Sequence, residues 1–216
     1  MGEKLWALVA AATLAALLWF LPVKLLFRAR RRQGRTIPCP HQFGWLLDHR
    51  FRRWCYRNVL DRLALAPGAT VLDVGAGTGT FTLPAARRVA PAGRVIAIDV
   101  QQAMIDKLRR RLAREGVSNV EPHVASACDL PVVDGSVDVA LIIGALGEVP
   151  DQHRALAEVY RVLKPGGQVS ITETFFDPDY NWPKELTRLL EELNFTVTGR
   201  KGGFWLYTLN AAKYTK

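Results

Sequence analysis

The sequence has little cysteine: Cys39, Cys55 and Cys128 are all that 216 residues hold, too few and too scattered to staple a fold with disulfides. Cys39, His41, His49 and Cys55 follow no compact zinc spacing, so no metal site is expected. An acidic excess, a low-complexity tract, an internal repeat and a linker between two halves are also missing. With 49% hydrophobic residues, these absences exclude a disordered acidic chain and leave ample material for one core. The length suits one ordinary domain with an appendage and speaks against a two-domain enzyme.

Positive charge is plentiful but unevenly spread. The formal charge of +9 would point to nucleic acid if it lay on the folded domain. Residues 1–66, however, hold 12 basic and 3 acidic residues, whereas residues 67–216 hold 17 of each. The run Lys107, Arg109, Arg110, Arg111 and Arg114 is flanked by Asp106 and Glu115 and lacks the interleaved aromatics that stack bases. It reads as a solvated helix face, and no nucleic-acid partner is expected.

The basic third begins with an apolar run from Leu5 to Phe27, broken only by Thr13, Pro22 and Lys24. As a helix it reaches roughly 34 Å at ~1.5 Å per residue, enough to cross a hydrocarbon core of about 30 Å. Arg28, Arg30, Arg31, Arg32 and Arg35 follow it as a stop-transfer signal would. A single-pass transmembrane anchor is expected over residues 1–27, with a cleaved signal peptide and an in-plane helix as the other readings. By the positive-inside bias, the rest of the chain lies on the cytoplasmic face, against anionic lipid. Residues 28–66 form a basic juxtamembrane and cap segment. There Phe43, Leu47, Phe51, Trp54 or Cys55, and Val59 recur near helical spacing among arginines. Such an amphipathic helix can lie in the lipid interface, fold over the domain as a lid, or pack as an ordinary core helix.

From residue 67 to 216 short β-branched runs alternate with helical segments. Strands are expected at 70–74, 94–100, 119–125, 137–143 and 168–173, and helices at about 80–89, 102–115, 152–163 and 184–193, with a turn at KPGG. The break at Gly202-Gly203 marks a closing hairpin. The fold class is therefore α/β: a Rossmann-like, mostly parallel sheet with a C-terminal antiparallel hairpin, preceded by the transmembrane helix.

Between the first strand and helix lies VLDVGAGTG, at the carboxyl edge where open α/β sheets bind ligands. A dinucleotide fingerprint needs G-x-G-x-x-G. Here the third glycine comes one residue early, and Asp73 would repel a phosphate. Asp99, ending the second strand, can accept both hydroxyls of a ribose. A cationic, ribose-bearing ligand without phosphates describes S-adenosylmethionine (SAM). VLDVGAGTG, AIDV, LPVVDGSVDVALII and LKPGG, in that order, resemble the class I SAM-dependent methyltransferases over roughly residues 60–210. The likeness is to small bacterial, membrane-anchored members near the quinone, sterol and phospholipid methyltransferase branch.

The resemblance implies that SAM is held by Asp73, Gly75, Ala76, Gly77, Thr78, Gly79, Asp99, Val100, Met104, Ser126, Ala127 and Gly144. In that assignment Asp73 reaches the methionine amino group through water, Asp99 clasps the ribose, Val100 and Met104 flank the adenine, and Gly144 borders the methyl group. Ser126 stands where the family often has an acidic adenine clamp. GALGEVPD replaces a histidine pair common after the fourth strand, leaving Glu148, His41 and Tyr207 as candidate bases, with Asp177 and Tyr180 behind them. The expected function is methyl transfer to a lipid or other hydrophobic small molecule. A thiol or metalloid acceptor, and a non-catalytic SAM-binding membrane module, are the alternatives.

Overall fold

The computed structural model describes Trp6, residues 22–30, Tyr56, residues 58–63 and residues 65–214. His41, Cys39, Cys55 and most of the expected anchor and amphipathic cap helix fall outside the described residues. Among the described residues, no helix is long and apolar enough to cross a membrane.

Seven strands form one sheet in the order β3-β2-β1-β4-β5-β7-β6. β1 (Thr70–Val74), β2 (Arg94–Asp99), β3 (Val120–Val124), β4 (Val137–Ile143) and β5 (Leu163–Thr174) run parallel, and β7 (Leu206–Lys213) is antiparallel to both β5 and β6 (Phe195–Gly202). The hairpin thus inserts with its second strand inward and leaves β6 at the edge. β1 and β4 are apolar along almost their whole length because helices cover both faces. Leu72, Val74, Ile96, Ile98, Ala140 and Ile142 pack toward α3 (Gln152–Val162) and α4 (Pro183–Glu192). The alternate residues Val71, Val95, Val139 and Leu141 pack with α1 (Thr82–Val89), while Ala97 meets α2 (Gln102–Glu115).

Local signals set the helix ends. Asp151 accepts the Arg154 N–H at 2.9 Å to start α3, Pro183 opens α4, and Gly116, at φ +63°, closes α2. The basic face of α2 is solvated as expected: Arg109 and Arg110 are exposed, and Arg111 bonds Glu115 at 3.0 Å.

One feature differs from the sequence reading. KPGG is not a turn ahead of β5 but its bulged first part: Leu163 pairs with Val137, and the register shifts before Gln168 meets Val139. The core also draws on residues ahead of Pro67. Tyr56, Val59 and Leu60 are buried with α1 and β1, and Asn210 Nδ2 donates to the Arg62 carbonyl at 2.9 Å.

Candidate active site

The strand order reverses between β1 and β4, and a cavity of about 340 Å³ opens there at the carboxyl ends of β1, β2 and β4. Its floor is the glycine loop. The N–H groups of Gly75 and Ala76 both donate to the Ile98 carbonyl, at 2.8 and 3.0 Å, which pins the loop to the end of β2. Asp99 completes the link, one carboxylate oxygen accepting from Gly77 N at 2.9 Å and the other from Gln101 N at 2.9 Å. Each oxygen keeps a lone pair for a further donor. Burial raises the Asp99 pKa, against the lowering effect of the Gln101 and Gly77 N–H groups.

All but two of the residues expected to hold SAM line this cavity, from Gly75, Ala76, Gly77 and Thr78 through Asp99, Val100 and Met104 to Ser126, Ala127 and Gly144. Asp73 and Gly79 do not. Gly79, at φ +86°, lies against α2, where a Cβ would stand 2.5 Å from Leu108 Cδ1; it seats the loop on the helix. Gly75 is constrained from the other side, since a Cβ there would meet Ala145 Cβ at 2.3 Å. Asp73 is buried behind the loop and accepts a hydrogen bond from Thr82 Oγ1 at 2.6 Å. Burial raises its pKa to about 6; the Thr82 bond opposes that shift and the nearby Asp99 charge adds to it.

Of the candidate bases, Glu148 alone reaches the cavity wall among the described residues, from a short 3-10 helix, Leu146–Glu148. Tyr207 is buried away from it and donates to the Asn181 carbonyl at 2.6 Å. Burial, with Glu173 adding, pushes its phenol far above the ordinary range, so it keeps its proton. Tyr180 is buried beside Tyr207, and Asp177 is occupied at its carbonyl by Lys24. His41 lies outside the described residues.

Sequence reasoning missed Phe81, Gln101, Val149 and Pro150, which also line the cavity. Phe81 is legible only in three dimensions: its ring packs 5.6 Å from that of Tyr56, so a residue of the cap segment backs the cavity wall.

The wall suits SAM on its own terms. Thr78 Oγ1 is buried with no hydrogen-bond partner among the described residues, a hydroxyl that a polar ligand group would satisfy. Val100, 58% exposed beside buried Met104, is an apolar lip suited to a flat ring. Among the described residues, nothing on the wall is built as a cationic phosphate cradle.

Comparison with known proteins leads to the same place. Residues 71–167 match a family described as a methyltransferase domain. A SAM-dependent methyltransferase of Aquifex aeolicus superposes with a TM-score of 0.75 at 25% identity, over 81% of this chain and 98% of that one. Residues 71–167 form a methyltransferase domain on the class I SAM-dependent fold. Among curated relatives, an arsenite methyltransferase of Halobacterium salinarum is 41% identical over 51% of this chain and 28% of its own length. A ubiquinone/menaquinone biosynthesis C-methyltransferase of Haemophilus ducreyi is 31% identical over 78% of this chain and 64% of its own. The chain spans about half the length, or less, of several curated methyltransferases that it matches.

Proposed function

We propose that the protein transfers the methyl group of SAM to a lipid or other hydrophobic small molecule at the cytoplasmic face of a membrane. The observation that carries the cofactor half is the Asp99 junction, where one carboxylate joins the glycine loop to the end of β2 on the wall of the cavity. The acceptor half is supported by the relatives named as ubiquinone/menaquinone biosynthesis C-methyltransferases and by the apolar run that starts at Leu5, read as an anchor up to the point where Lys24 meets the domain.

Bound SAM supplies an electrophilic methyl group on a cationic sulfur that leaves as a neutral thioether. The chain's own work is positioning and keeping out water. Asp99 would accept the ribose hydroxyls, Val100 and Met104 would hold the adenine, and Thr78 Oγ1 would gain a partner. Asp73, one layer behind the loop, contributes negative charge toward a cationic amino acid moiety without touching it. Glu148 would accept the acceptor's proton or attract an ammonium group beside the methyl. In the test, full-length protein in membranes is incubated with methyl-labelled SAM and the organic phase is extracted. Label in one lipid species is expected; SAM binding with no transfer to any fraction would favour a non-catalytic module.

Transfer to a thiol or metalloid is the second reading, favoured by the arsenite methyltransferase relative. Among the described residues no group of three or more His, Cys, Asp or Glu side chains could hold a metal ion, and Cys128 is the described cysteine, its Sγ 3.4 Å from the Asp151 carbonyl. Replacing Cys39, Cys55 and Cys128 with Ser should leave lipid methylation intact and abolish a thiol-dependent reaction.

A further inference from the structure

The carboxyl edge of the sheet continues past the cavity. Residues 175–182 follow β5, and the β6–β7 turn returns to the same edge because Thr174 pairs with Leu206 and Gly202 with Tyr207. These two loops expose Phe176, Trp182, Phe204 and Trp205 by 65, 41, 54 and 54%. The rings brace one another: Phe176 stacks on Trp205 at 5.5 Å, and Phe175 packs 4.6 Å from Phe204. The first loop also abuts the cavity, since a Cβ on Gly147 would stand 2.4 Å from the Asp179 carbonyl oxygen, next to Glu148.

Helical residues 22–30 are seated on this rim. Lys24 Nζ donates to the Asp177 carbonyl at 2.7 Å and lies 4.5 and 5.0 Å from the ring centroids of Phe175 and Tyr180. Arg28 pairs with Glu185. Beside these contacts Leu25 and Leu26 stay 58 and 52% exposed, and Arg30, Arg200 and Lys201 are exposed as well.

We propose that the loops at 175–182 and 203–205, with Leu25 and Leu26, are a docking surface for an anionic bilayer, turning the cavity mouth toward the lipid. This orientation rests on the membrane reading given above. Exposed Trp and Phe beside Arg and Lys is the composition of a membrane interface, where rings sit at headgroup level and cations meet anionic lipid. Chain connectivity selects lipid over a protein partner: the apolar run reaches the folded domain at this rim.

The test uses the full chain, with its three cysteines changed to Ser and SAM binding measured alongside, reconstituted in phosphatidylglycerol/phosphatidylcholine vesicles. A polarity-sensitive dye is placed at Phe204→Cys and, as a control at the opposite sheet edge, at Val133→Cys. The expected result is a blue shift and quenching by brominated lipid at position 204 only, weaker without phosphatidylglycerol. Equal responses at the two positions overturn the surface. Unlabelled Trp182→Phe/Trp205→Phe protein gives an independent reading: it should lose a measurable part of the brominated-lipid quenching of tryptophan emission, and unchanged quenching counts against the proposal. A chain that binds SAM and methylates lipid with position 204 unquenched loses the docking surface alone. A chain that docks without binding SAM contradicts the methyltransferase reading alone.

Discussion

The carboxyl edge of the sheet is built in two ways. Over β1, β2 and β4 it is a cavity whose floor is backbone, fixed by N–H groups on the Ile98 carbonyl and the Asp99 carboxylate. Over β5 and β7 it is a rim of aromatic side chains braced ring on ring, with a basic helical segment laid against it. A backbone-built site serves a ligand that stays the same across a family. A side-chain-built rim can change with little effect on the sheet, and it is where the proposed lipid docking is placed.

If the halves are separable, mutations should affect them separately. The largest effect is expected for Asp99→Ala, which removes a charged acceptor and strands the Gly77 and Gln101 N–H groups. Hydrogen bonds to charged groups are worth about 1.5–3 kcal/mol each, so SAM affinity by calorimetry should fall on the order of 100-fold while vesicle association holds. Phe204→Ser with Trp205→Ser should do the reverse. Transfer to a membrane-resident acceptor should fall roughly tenfold, as loss of about 1.4 kcal/mol of membrane contact implies, with SAM affinity unchanged.

Asp73→Asn sharpens the comparison through pH. The buried Asp73 carboxyl has its pKa raised from 3.8 to about 6, so between those values the folded chain holds a proton there that the unfolded chain has lost. Stability from this group therefore falls as pH rises through that window, and the full penalty, at most about 3 kcal/mol, applies above about pH 6. The variant should melt higher than the parent at pH 7 without SAM and lose that advantage below pH 4. It should bind SAM several-fold more weakly at pH 7, and the parent's own affinity should decline as pH falls through about 6. A smaller effect is expected for Glu148→Gln, a several-fold drop in kcat with SAM affinity unaltered, read by single-turnover transfer.

The two halves are not equally legible in the sequence. VLDVGAGTG and AIDV are short, contiguous and tied to strand ends, so their residues alone put Gly75, Gly77 and Asp99 on one wall. The same pattern also picks Asp73 and Gly79, which do not line the cavity, because a linear motif does not distinguish a residue on the cavity wall from one that seats the loop from behind. KPGG reads as a turn because Pro and Gly usually punctuate; a strand bulge uses the same residues. The rim is illegible for a different reason. Phe175, Trp182 and Phe204 are separated in sequence and share no period, and only the antiparallel return of β7 brings their loops together. Tyr56 is hidden likewise, in a segment whose sequence leaves the lipid interface, a lid and the core all open.

The central proposal is methyl transfer from SAM to a hydrophobic acceptor. Its most direct test is extraction of membranes bearing the full chain after incubation with methyl-labelled SAM, beside the same membranes bearing the Asp99→Ala chain. Label is expected in one organic-soluble species with the parent and almost none with the variant. Tight SAM binding by the parent with no label in the organic phase would contradict it.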